Sequence, residues 1–272
     1  MKTSIRHKLL ASATAALLFA SAPVSLAATL QPHQAQYRLT PTELKMPGAV
    51  GASEGVLLIR IEERCTDWLI FSQLQITMQM ENGSDLTLVS VSALEESKDS
   101  TELTFDTEIR FNGNQVEKHT GVARVPEAGS AGEIELQQTE NGTTVVPLQK
   151  GAFFPVETYR RSLDRITAGE IVLDYIMFDG SSAVPIRATD VVAGDPKNMP
   201  DASIGDVGLV SGKGWRVITS FFDIEATDAP PTSTNIFEIY DNGVTGWVKY
   251  DIGLVEVNGE LTALETLPAP SC

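Results

Sequence analysis

Cysteine is scarce in this chain. Cys65 and Cys272 are the only two among 272 residues, and Cys272 is the last residue of all. No Cys-x-x-Cys pair exists, which leaves a thiol redox centre without support. Histidine is nearly as rare, with His33 and His119 the only two beyond residue 27. H-E-x-x-H is absent, as are the Walker phosphate loop and the Gly-rich dinucleotide fingerprint, so the sequence offers no zincin, P-loop or Rossmann chemistry. Each histidine is expected to be a hydrogen-bonded structural or surface residue rather than a base. The calcium-loop pattern, oxygen ligands at alternate positions around a central glycine, is also missing, because YDNGVTG at 240–246 is too short.

Basic residues are outnumbered. Twenty Lys and Arg stand against 36 Asp and Glu, a net charge of −16. Nucleic acid and anionic bilayers should repel such a chain. Long apolar runs are missing except near the start, where LLASATAALLFA follows a segment carrying Lys2, Arg6 and Lys8 and no acid. That run is too short to cross a bilayer. With the small residues of SAPVSLAA behind it, it reads as a cleavable signal peptide over residues 1–27, cut after Ala27 at Ser-x-Ala. Its removal leaves 17 basic against 36 acidic residues, a net charge of −19. The expectation is an exported, soluble protein, not an integral membrane protein, in a compartment that permits disulfides. Two cysteines allow one intramolecular pairing, Cys65–Cys272, which would close a loop of about two hundred residues and restrain the unfolded chain by roughly 5 kcal/mol. An intermolecular disulfide or free thiols are the alternatives.

What abounds is turn and strand. Asn-Gly occurs at 82–83, 112–113, 141–142, 242–243 and 258–259, with Asp179–Gly180 as a related pair. These residue types tolerate the positive φ of tight hairpin turns. Between them apolar and polar residues alternate. Leu103, Phe105, Ile109 and Phe111 oppose Glu102, Asp106, Glu108 and Arg110, and Leu74, Ile76, Met78 and Met80 oppose Gln73, Gln75, Thr77 and Gln79. A period of two with one wet face means antiparallel sheet. Roughly fourteen short strands are expected, enough for a barrel, a sandwich or a strongly curled sheet. Only FPVETYRRSLDRITAGE breaks the pattern. Val156, Tyr159, Leu163 and Ile166 recur there at three- and four-residue spacing, with Pro155 suited to a first helical turn and Gly169 to the C′ position. Arg160, Arg161 and Arg165 fall on the polar side of this helix as a local basic cluster. The helix is expected to cap the core, with a partner-docking face as the alternative. The Gly-, Pro- and Asp-rich stretch 193–214 reads as a long surface loop, and residues 28–272 as one domain.

In order along the chain, LQPHQAQYRL, GVLLIRIEERCTDW, GAFFPVETYRRSLDRITAGE, VLDYIMFDGSS, GKGWRVITSFFD and the ending IYDNGVTGWVKYDIGLVEVNGELTALETLPAPSC resemble the EipB family, cell-envelope integrity proteins of the alphaproteobacterial periplasm. HQAQY is similar to that family's opening His-Arg-Ala-x-Tyr, with Gln34 where arginine is usual, so a role of that basic side chain does not carry over. The resemblance implies a mainly antiparallel all-β fold, a long curled sheet forming a β-spiral or open half-barrel, with the helix packed in its open side. It also implies the Cys65–Cys272 disulfide, a periplasmic location, no catalytic residues, no cofactor or metal, and association with a periplasmic tetratricopeptide-repeat protein. The expected function is non-enzymatic support of envelope integrity through protein contacts. The alternative is a carrier of a lipid or lipoprotein in the concave face of the sheet, where Leu74, Ile76, Met78 and Met80 would form an adaptable wall. Ordinary core beneath the helix is the competing explanation of that stripe. Arg160, Arg161, Arg165, Tyr159, His33 and Tyr37 are the candidate partner or cavity contacts.

Overall fold

The computed structural model describes residues 29–138, 142–200, 202–225 and 228–272. The leader expected at 1–27 and Asn141 of one Asn-Gly pair lie outside the described residues. One sheet holds sixteen strands. They are β1 (His33–Leu44), β2 (Ala49–Ala52), β3 (Gly55–Glu63), β4 (Asp67–Met80), β5 (Asp85–Ser97), β6 (Glu102–Phe111), β7 (Asn114–Arg124), β8 (Gly132–Gln138), β9 (Gly142–Leu148) and β10 (Ala152–Phe153). After helix α1 (Pro155–Thr167) come β11 (Val172–Met177), β12 (Ile186–Gly194), β13 (Gly214–Asp223), β14 (Ser233–Tyr240), β15 (Thr245–Asp251) and β16 (Val255–Thr266). The two strands beyond the expected fourteen have a physical explanation: β2 has four residues and β10 two, too few for alternation to register.

Across the sheet the order is β10 through β16 in sequence, then β1, then β3 through β9, with β2 attached beside β4. The chain's two ends therefore pair with each other, β1 against β16 from His33–Thr266 to Leu44–Val255. Sequence neighbours β9 and β10 stand instead at opposite edges. All pairs are antiparallel except the short β10–β11 pair.

Among the described residues no backbone ladder joins edge strands β9 and β10; one edge packs on the face of the other. Ala152, Phe154 and Phe178, from the β10–β11 edge, share a buried cluster with Leu103, Phe105, Ala123, Ile134 and Leu148 of β6 to β9. Phe105 and Phe178 meet edge to face, 5.3 Å between ring centroids, the arrangement favoured by the aromatic quadrupole. Thr107 Oγ1 donates to the Gly180 carbonyl at 2.8 Å. The sheet thus rolls into a nearly closed spiral with a single seam, as expected.

Helix α1 lies across that roll. Val156, Leu163 and Ile166 pack with Trp68 of β4, Leu173 of β11, Trp215 and Val217 of β13 and Ile239 of β14. Strands far apart in the sheet order are bridged by one apolar helix face, which is what the three- and four-residue spacing required. Its C-terminal turn closes as expected, with Gly169 at φ 96° and the Glu170 amide donating to the Arg165 carbonyl.

Three expectations need correction. Asn258–Gly259 is not a turn but lies inside β16. Glycine is required there because a Cβ would come within 2.5 Å of Val248 Cγ2 and 3.1 Å of Leu39 Cδ2. The stretch 193–214 is not a plain surface loop. It holds two 3-10 turns, and buries Ile204 and Val210 in a cluster with Leu39, Leu57, Val255 and Val257. Its entry is fastened by the buried Glu238 carboxylate, which accepts from the amides of Lys197 and Asn198 at 2.9 Å each. Finally, Leu74, Ile76 and Met78 belong to that same cluster rather than to the one under the helix. Ile76 and Met78 are core, in one cluster with Ile204 and Val210 of the 3-10 turns, whereas Leu74 also borders a cavity inside the roll.

Candidate functional site

Inside the roll lies a lumen of three adjoining compartments. The first, about 270 Å³, sits beneath α1 and is walled by strand residues that alternation turns inward, among them Ile59, Ile61, Ile70, Val217 and Phe237. The second, about 360 Å³, shares Ile70, Pro155 and Met177 with the first. The third, about 450 Å³, shares Ile59 and Tyr250 with the first, and Ser72, Ser90, Ile109 and Glu117 with the second.

The second compartment owes its space to small residues at inward positions. Ser72 stands opposite Ser92, Ser92 opposite Thr107, and Thr107 opposite His119. A row of hydroxyls thus crosses β4, β5 and β6 and ends on an imidazole of β7. Leucines in those places would fill the roll. His119 Nε2 lies 2.9 Å from Glu117 Oε1, two positions along the same strand face.

The first compartment is apolar but for several polar groups, most of them tied to the protein, while Thr158 Oγ1 on α1 is buried with no hydrogen-bond partner among the described residues. Asp190 Oδ1 accepts from Thr219 Oγ1 at 2.7 Å and from the Tyr175 hydroxyl at 3.1 Å. Burial pushes the Asp190 pKa up, and those two hydrogen bonds oppose the rise. Tyr37 donates to the Thr245 carbonyl at 2.6 Å and Tyr159 to the Gly243 carbonyl at 3.1 Å. Burial raises the Tyr37 phenol and pushes Tyr159 up to about 12. His33 is buried, with Nδ1 2.7 Å from the Gln31 carbonyl. Burial lowers its pKa more than that bond raises it, which favours the neutral ring. Tyr250 differs from the other tyrosines: its hydroxyl makes no hydrogen bond to the described residues, and burial alone takes it to about 12.

His33 and Tyr37 from β1 and Tyr159 from α1 thus all line the first compartment. The three arginines are not, and they do not form one cluster. Arg160 lies over the Trp68 ring at 5.5 Å. Arg161 lies over Phe153 at 4.3 Å and reaches Glu157 at 3.4 Å. Arg165 pairs with Glu170 at 2.8 Å. With Arg187, Arg161 and Arg165 line a separate groove of about 500 Å³ between α1 and β11. Helical geometry explains the split, since residues 160 and 161 point about 100° apart. Tyr175, Tyr250 and Asp190 were not singled out by sequence reasoning. The available signal was parity: Ala188, Asp190 and Val192 share one face of β12, so its acid stands among inward residues.

The sequence also carries G-x-S-x-G spacing at Gly51–Gly55. A nucleophile elbow needs a strand-to-helix turn. Ser53 instead joins two strands, and its hydroxyl donates to the Thr77 carbonyl at 3.2 Å. Among the described residues no group of three His, Cys, Asp or Glu is placed to hold a metal ion, and no helix is long and apolar enough to cross a membrane. Cys65 and Cys272 form a disulfide with Cα atoms 5.8 Å apart. It fastens the tail after β16 to the β3–β4 turn, a linkage compatible with export.

A family model described as EipB-like matches residues 25–268. The fold is similar to the crystal structure of a β-barrel-like protein, a domain of unknown function, from Brucella abortus. That likeness has a TM-score of 0.77 at 20% identity and covers 89% of this chain and 100% of that one. No curated protein matches the chain.

Proposed function

The chain belongs to the EipB-like family, and from that premise we propose that it is a non-enzymatic periplasmic protein that supports the cell envelope by binding an amphiphile, a lipid or the acyl part of a lipoprotein, in its lumen. The observation that carries this reading is the lumen itself. Three adjoining compartments combine apolar walls with a few placed polar groups, the usual make-up of a small-molecule site. Catalysis is a poorer fit. Tyr37, Tyr159, Tyr175, Thr219 and Asp190 are committed to one another or to backbone carbonyls, the unpartnered Thr158 hydroxyl has no base beside it among the hydrogen bonds of the described residues, and the free Tyr250 hydroxyl, with its high pKa, is a donor rather than a base. Native mass spectrometry of the protein drawn gently from its own envelope should find a bound amphiphile at near-equal abundance. Ser92→Trp, which fills the second compartment, should lose it. A ligand-free protein from the envelope would overturn this reading.

A second reading, envelope support through contact with a periplasmic tetratricopeptide-repeat protein, is favoured by one surface feature. Val172 and Val191 face each other across β11 and β12 and, with Ile171, form an exposed apolar patch, 51%, 41% and 65% exposed respectively. Contiguous apolar surface of this kind marks contact sites. Val172→Asp with Val191→Asp should release a partner that co-purifies stoichiometrically with the parent. Retention of that partner would rule out the patch.

A further inference from the structure

The lumen has a charge preference built into its walls. None of the three compartments is lined by a lysine or arginine among the described residues. Asp190, Asp179, Glu108 and Glu117 do line it, Glu108 being paired with Arg110 and Glu117 standing half exposed at the rim. The imidazoles are His33, tied to the Gln31 carbonyl, and His119, tied to Glu117. The arginines of α1 are turned elsewhere, to Trp68 and to the outer groove with Phe153.

An anionic head entering this space would give up part of its hydration, find no lysine or arginine in the lining and face carboxylates. Burying an unpaired charge is costly, and like charges add to that cost. A hydroxyl or ammonium head meets the opposite situation. The hydroxyls of Ser72, Ser90 and Ser92 and the carboxylates of Glu117 and Asp179 surround the second compartment, and the Tyr250 phenol waits between the first and the third. The apolar compartments on either side receive the tail.

We propose that the lumen discriminates by head charge, and that its ligand is an amphiphile with an uncharged or cationic head, anionic lipids being rejected. This rests on the binding reading above and narrows its ligand class. The test is isothermal titration calorimetry of the full mature protein at pH 8 with dodecyl maltoside, dodecyltrimethylammonium and dodecanoate, each below its micellar concentration. The neutral and cationic probes should bind, and dodecanoate at least tenfold more weakly. Glu117→Lys should raise dodecanoate affinity by at least threefold. Ser92→Trp or Ser90→Phe, whichever keeps the parent circular dichroism spectrum, should abolish binding of all three. Dodecanoate binding within threefold of the neutral probe would overturn the charge preference while leaving the lumen a binding site. Failure of all three probes, or binding that survives the filled lumen, would overturn the binding reading beneath it.

Discussion

Glu96 is a carboxylate buried at the start of a helix, only 1% exposed. The first residue of α1 is a proline without an N–H, and the N-cap, Phe154, has no side-chain acceptor to offer. Glu96 reaches in from β5 and accepts from the amides of Val156 at 2.6 Å and Glu157 at 3.1 Å, and from the Ser100 hydroxyl at 2.9 Å. Burial outweighs these bonds and pushes its pKa from the ordinary 4.5 to about 7. A carboxyl whose folded pKa is raised favours the fold most when protonated. Its contribution is therefore full below about pH 4.5 and is lost as pH rises through 7. Glu96→Gln keeps an acceptor and cannot ionise. The unfolding free energy of the parent relative to this variant should fall by about 3 kcal/mol between pH 4.5 and 8. Urea unfolding of both proteins at several pH values measures this, and a pH-independent gap would refute it. In the sequence Glu95 and Glu96 are merely adjacent acids. Alternation along β5 places them on opposite faces, but the helix that makes Glu96 a cap begins 60 residues later, beyond any local pattern. The same limit governs the lumen. His33, Tyr37 and Tyr159 were singled out from the sequence and all three line the first compartment, whereas Asp190 and Tyr250 are placed there only by the strands that register puts beside them.

At the scale of elements, one dipeptide serves two purposes. Gly113 sits in a tight hairpin at φ 80° with open space around it, whereas Gly259 lies in mid-strand against Val248 and Leu39. Gly113→Ala should cost ~1 kcal/mol through backbone strain alone. Gly259→Ala should cost ~1–3 kcal/mol through overpacking. Magnitude does not separate them, but coupling does. Val248→Ala removes the methyl that a Cβ at 259 would strike, so the pair should be less costly than the sum of its members by ~1 kcal/mol, whereas Gly113→Ala with Val248→Ala should be additive. Chemical denaturation of the five variants decides it, and additivity in both cycles would mean that close approach does not hold Gly259. The sequence announces strands well, because a wet face and a dry face force a period of two. It announces helix α1 equally well, through its apolar spacing and its proline and glycine ends. A glycine's reason for being there is not announced, since hairpin turn and close packing leave the same letters. Stretch 193–214 fails for a related reason: Ile204 and Val210 are too isolated in sequence to signal that they are core.

At the scale of the whole molecule, the sheet is two sequential meanders, β1 to β9 and β10 to β16, joined where the chain's own ends pair. The antiparallel strands could be read from the sequence. Their closure into a spiral could not, because it depends on β1 meeting β16 more than two hundred residues away, and only the family resemblance anticipated it. The Cys65–Cys272 disulfide spans this junction, tying the tail of β16 across β1 to the turn after β3. Chain-entropy arguments place its effect in the unfolded state, so Cys65→Ser with Cys272→Ser should cost about 2–5 kcal/mol overall. The topology adds a local consequence. Without the staple, the β1–β16 ladder is the extensive pairing in the roll whose strands lie farthest apart along the chain, so it should open below the global unfolding energy. Hydrogen exchange by mass spectrometry under native conditions, comparing parent and double variant, should show protection lost first in peptides covering 33–44 and 255–266. Peptides of β4 and β5, held by their own hairpin, should lose protection only as global stability falls. Uniform loss across all strands would mean that the staple acts on the unfolded chain alone and that the junction of the two meanders stands without it.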